Sequence, residues 1–187
     1  GNSADNINSL AVDDSGNVYI AGFRGGSGTG NDCITIKYNT SGVQQWLQTY
    51  NGPGNSNDNA RSLALDASGN VYITGYSAGV SSGADYTTIK YNSSGVQQWL
   101  QTYNGPGNSD EDAYSLVLDA LGNVYITGYS PGSGSDVDYA TIKYNSQGTQ
   151  QWLQRYNGPG NSIDDARNVA VDTSGNVYVS GTSIGIA

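Results

Sequence analysis

The chain has 187 residues with sixteen Asp or Glu, seven Lys or Arg, no His, no Met and one Cys. A net charge of −9 with singly scattered basic residues excludes a phosphate-neutralising nucleic-acid surface and attraction to anionic membranes. Only 12% of the chain is charged, which argues against long surface helices, while 15 Tyr, 3 Trp and many Val, Ile and Leu supply one sizeable core.

A unit of 53 residues is written three times, over 1–53, 54–106 and 107–159, and restarts as a half unit over 160–187. Such a period marks a supersecondary unit that stacks on its neighbours, so one array is expected rather than two domains. In the second copy, the apolar run ARSLAL ends at Asp66 and Gly69 and reads as a short strand closing into a tight turn. NVYITGY follows at once as a second strand of β-formers. The Gly/Ser-rich loop SAGVSSGA leads to a third strand, DYTTIKYN, and the turn NSSG to a fourth, VQQWLQTY. NGPGNS then crosses to the next copy, so two tight hairpins alternate with two longer connections.

Four antiparallel strands in this length are the size of one propeller blade. The first strand is apolar on both faces at Leu63, Ala64 and Leu65, as an innermost strand should be. The fourth carries Gln97, Gln98 and Gln101, as expected near the rim. The predicted fold is all-β: a β-propeller of 53-residue, four-stranded blades, about three and a half in number, open or completed by another chain. A β-solenoid is the competing architecture, but its coils are shorter and lack paired tight hairpins.

The motif LDASGNVYITGYS…DYTTIKYNSSGVQQW resembles the bacterial β-propeller repeat known as the SBBP repeat, whose D-x-x-G-N-V-Y hairpin is similar to that of NHL-type blades. The resemblance holds in every copy. It implies a propeller blade and occurrence in large exported or surface proteins of bacteria, and it brings no catalytic residues. The Gly-x-x-x-Trp spacing in SGVQQW is similar to the tryptophan-docking turn of quinoprotein dehydrogenases. That likeness implies packing of Trp46, Trp99 and Trp152 between adjacent blades.

Asp13, Asp66, Asp119 and Asp172 precede the first hairpin turn and are expected to accept its backbone N–H groups. Tyr19, Tyr72, Tyr125 and Tyr178 recur mid-strand, as do Lys37, Lys90 and Lys143 beside an Ile and a Tyr, and the tyrosines are expected to pack between blades with Lys stems along their rings. Cys33 alternates with Tyr86 and Tyr139 and reads as an inert packing thiol. The acids of the longer connections are the candidate binding residues. Asp5, Asp58, Glu111 and Asp164 precede the inner strand, with Asp112 and Asp165 following two of them. Asp32, Asp85 and Asp138 precede the third strand. All are expected on the face opposite the tight hairpins, as a solvated acidic rim, with calcium binding as the alternative. The variable loops beside Phe23, Tyr76 and Tyr129 are the places for glycan recognition.

The inventory for catalysis is thin. No His is present, no G-x-S-x-G elbow occurs and no Cys–His pair exists. The chain is therefore expected not to be an enzyme and to need no cofactor unless calcium. The reading is an exported or cell-surface scaffold for protein interaction or self-assembly into a ring or filament. The alternative is a glycan- or divalent-cation-binding module. Its partners are expected to be a second copy, the remaining blades of a longer chain, or a protein or glycan ligand. The absence of a signal peptide and an initiator Met points to a processed product or part of a longer protein.

Overall fold

The computed structural model describes residues 5–185, which contain fourteen strands and no helix. The first blade is β1 (Asn6–Val12), β2 (Val18–Gly25), β3 (Asn31–Tyr38) and β4 (Gln44–Tyr50). The second is β5 (Asp58–Leu65), β6 (Val71–Ala78), β7 (Ala84–Tyr91) and β8 (Gln97–Tyr103). The third is β9 (Asp112–Leu118), β10 (Val124–Pro131), β11 (Val137–Tyr144) and β12 (Gln150–Tyr156). A two-stranded sheet, β13 (Asp164–Val171) and β14 (Val177–Ser183), follows. Each sheet is an antiparallel meander in chain order, as open propeller blades are.

Local chemistry sets the tight turns. The Asp13 carboxylate accepts N–H groups from Ser15 (3.0 Å) and Asn17 (2.9 Å), the Asn17 amide (2.8 Å) and the Tyr19 hydroxyl (3.0 Å). Gly16 closes this turn at φ 82°, which a side chain would resist. Asp66, Asp119 and Asp172 repeat the arrangement.

The core lies between blades. Tyr19, Ala21 and Cys33 of the first blade pack with Ala60, Leu63, Val71 and Ile73 of the second, and Tyr72 and Tyr86 repeat this against the third. Ser9, Ser62 and Ser115 accept the N–H of Leu63, Leu116 and Val169 in the next inner strand. Trp46 Nε1 donates to the Ser93 carbonyl at 3.2 Å, and its ring lies where a Cβ on Gly95 would fall. Trp99 does the same on Ser146 and Gly148. Lys37, Lys90 and Lys143 sit over the rings of Tyr19, Tyr72 and Tyr125 at 5.0, 4.9 and 4.9 Å. Tyr178 departs from its expected role: it is 58% exposed where Tyr19 and Tyr72 are fully buried, because no neighbouring sheet covers it among the described residues. Trp152 meets Tyr125 of its own blade at 6.0 Å.

One irregularity recurs in all four sheets. The register of the first hairpin shifts so that Asn8, Arg61, Tyr114 and Arg167 have no cross-strand partner. These are β-bulges, which re-aim the extra side chain. Opposite them stand Gly22, Gly75, Gly128 and Gly181, where a Cβ would meet a backbone oxygen at 2.0, 1.9, 2.0 and 2.1 Å. Glycine is required there by close approach.

Candidate functional site

The two sets of acids share the face opposite the tight hairpins, where the longer connections touch: Asn57 Oδ1 accepts the Asn31 N–H at 3.0 Å. They do not form a solvated rim. Asp58, Glu111 and Asp164 are fully buried, and Asp112, Asp138 and Asp32 nearly so. Their carboxylates are turned inward onto donors of the protein itself. Asp58, Glu111 and Asp164 accept the N–H of Gly52 (2.7 Å), Gly105 (2.8 Å) and Gly158 (2.5 Å), tying down each crossing loop. Asp32, Asp85 and Asp138 accept hydroxyls from Thr29 (3.1 Å), Ser82 (2.7 Å) and Ser135 (2.9 Å), closing the variable loops. Asp5 alone of the set is exposed, and accepts the Gly25 N–H at 3.3 Å. Short carboxylates flanked by glycine N–H groups gain more from those donors than from water, which is why composition misled on their exposure. Among the described residues no three Asp, Glu or Cys side chains converge as a metal-binding group.

The bulged residues build a second layer on this face. Asn8 donates to Asn59 Oδ1 (2.7 Å) and to the Ala60 carbonyl (2.9 Å) of the next blade. One blade on, Arg61 forms an ion pair with Asp112 at 2.7 Å, and Arg167 pairs with Asp165. Arg61 lies over the rings of Tyr76 and Tyr114 at 5.4 and 5.8 Å, and Arg167 over Tyr114 at 4.4 Å. Tyr114 in turn packs on Tyr129 at 5.8 Å.

Between the second and third blades this leaves a groove of about 560 Å³, bordered by Asn57, Arg61, Tyr76, Asp112, Tyr114 and Tyr129. Its size is that of a small-ligand site. Burial pushes the Asp112 carboxyl up to about 6 against the pull of Arg61. Burial likewise raises Glu111 to about 7, opposed by the Gly105 N–H and aided by Asp85 and Asp110. The Tyr129 hydroxyl is raised to about 12, again by burial first, so it remains a donor at neutral pH. Asp112 Oδ1 is buried without a partner.

Of the predicted site residues, the groove collects Asp112 and the flanking Tyr76 and Tyr129, with Glu111 at its border. Asp5, Asp32, Asp58, Asp85, Asp138, Asp164 and Asp165 lie elsewhere, in the first two positions of their strands or, for Asp5, just before one. Sequence reading missed Arg61 and Tyr114. The signal for them was the invariant glycine inside the second strand, which marks a bulge in its partner.

The SBBP family pattern, described as a beta-propeller repeat, matches residues 1–22, 46–80, 98–134 and 151–186. No curated protein sequence matches the chain. Among solved structures, a eukaryotic initiation factor superposes with a TM-score of 0.53 at 9% identity, over 83% of this chain and 33% of that one. An alpha-L-arabinofuranosidase from Clostridium thermocellum gives 0.42 at 17% identity, over 79% and 52%. The chain thus spans from a third to about half of these proteins, and the likeness to the first is one of fold.

Proposed function

The chain belongs to the SBBP beta-propeller repeat family, and from that premise we propose that it is a non-catalytic scaffold of an exported or cell-surface protein, whose open blade faces bind further blades. One observation carries this reading. Leu10 is 61% exposed on the first blade, whereas Leu63, Leu116 and Val169 at the same position are each 8% exposed under a preceding blade. At the other end Tyr178 is 58% exposed, while its counterparts are covered by a following blade. The two uncovered faces are therefore the two halves of an interface the molecule already makes internally. A second copy brings the matching half, and head-to-tail contacts of this kind close into rings or grow into filaments.

The absence of catalysis rests on where the acids point. Glu111 has the raised pKa of a general acid, but its carboxyl is fully buried and accepts the Gly105 N–H. The exported setting rests on the low-charge, Gly/Ser/Asn/Tyr-rich composition.

Native mass spectrometry across a concentration series tests the scaffold reading. Discrete oligomers or a growing series are expected, reverting to monomer in Leu10→Lys, which places a charge on the open face. A wild-type chain that stays monomeric at every concentration overturns it.

A further inference from the structure

We propose that the groove between the second and third blades is a binding site for a neutral saccharide, with Tyr129 as the stacking platform and Asn57, Arg61 and Asp110 as hydroxyl partners. The inference uses neither open blade face and stands apart from the scaffold reading.

Chemistry selects the ligand class. Anions are repelled by the exposed Asp110 at one wall, in a chain of net charge −9. Cations would seek the space between aromatic rings, but that position is taken: Arg61 already lies over Tyr76 and Tyr114 and is neutralised by Asp112. A wholly apolar ligand would strand the polar lining unpaired. A sugar has hydroxyls that both donate and accept, and a ring face that covers an aromatic side chain. The groove offers the matching set. Arg61 and the tyrosine hydroxyls donate, Asp110 accepts, and Tyr129 presents a half-buried ring.

The site is single. Between the first and second blades, Phe23, Asn8 and Asn59 replace Tyr76, Arg61 and Asp112. Between the third blade and the last sheet, Thr182 and Ile163 replace Tyr129 and Asp110. Near-identical blades thus differ at the residues this groove uses.

The test is an array of neutral, sialylated and sulfated glycans, followed by calorimetric titration of the best neutral hit. Binding of a neutral glycan at one site per chain is expected. Tyr129→Ala should weaken it about tenfold or more, the loss of a full stacking contact, while Tyr129→Phe stays within about threefold. Phe23→Ala, which removes the ring standing for Tyr76 one groove earlier, controls for folding and should leave affinity unchanged. Silence across the array at millimolar sugar overturns the proposal. So does a preference for charged glycans, or equal loss in Phe23→Ala and Tyr129→Ala. Oligomeric state is recorded alongside, so a failure here does not touch the scaffold reading.

Discussion

At the scale of single residues, the acids do two opposite things with the same chemical group. The turn carboxylates Asp13 and Asp172 are held below the usual range, first by the side-chain amides of Asn17 and Asn176. In Asp66 and Asp119 burial works the other way, and the amides of Asn70 and Asn123, the turn N–H groups and a tyrosine hydroxyl outweigh it. Their stabilisation is present above a pH of about 3.8 and is lost as pH falls below it. Glu111 has the reverse sign. Its carboxyl rises from 4.5 unfolded to about 7 folded, so its contribution is greatest below 4.5 and is lost as pH climbs through 7. Asp112, raised to about 6, adds to that fall. Thermal unfolding followed against pH should therefore show the melting temperature declining between pH 4.5 and 7. Glu111→Gln keeps an acceptor for the Gly105 N–H and removes the titration. It should flatten that decline and be more stable than the wild type at pH 8.

At the scale of elements, the hairpins are self-contained while their edges depend on the next blade. The Asp–Asn–Tyr turn satisfies itself within six residues. The fourth strand does not: Trp99 finds its acceptor in Ser146 and its floor in Gly148, both in the next blade. Arg155, standing where the first two blades have Thr49 and Thr102, reaches back instead. It donates to the Tyr103 hydroxyl at 2.9 Å and to Ser130 Oγ at 2.7 Å, and pairs with Asp138 at 2.9 Å. It therefore bolts the third blade to the second. Removing a ring from between blades leaves a cavity that rigid sheets cannot close. Trp99→Ala should cost about 3 kcal/mol in denaturant unfolding. Trp152→Ala, with no following turn beneath it among the described residues, should cost clearly less.

At the scale of the whole molecule, stability is a sum over blades and the interfaces between them. The second blade is covered on both faces, whereas the first and the last sheet are each covered on one. Hydrogen exchange should follow that order. The amides of β6 and β7 should exchange slowest and those of β13 and β14 first, because local opening needs fewest contacts broken there. Uniform protection across all four sheets would contradict this picture. Binding of a second copy would slow exchange selectively in β1 and β14, which makes the measurement informative about assembly too.

The repeat, its four strands, their turns and the all-β propeller blade were legible in the sequence because each depends on local chemistry: a period of two, a glycine at positive φ, a carboxylate two to four residues from its donors. The candidate loops were legible as well, since they differ most between copies. What tertiary structure alone decided was the direction of the side chains beside those loops. Whether Asp58 faces water or the Gly52 N–H depends on how the crossing loop folds back over the blade. Whether Arg61 meets Asp112 depends on a bulge that turns it toward a neighbour 51 residues away. Such contacts leave no local pattern, because the partner is supplied by stacking one copy of the unit upon the next.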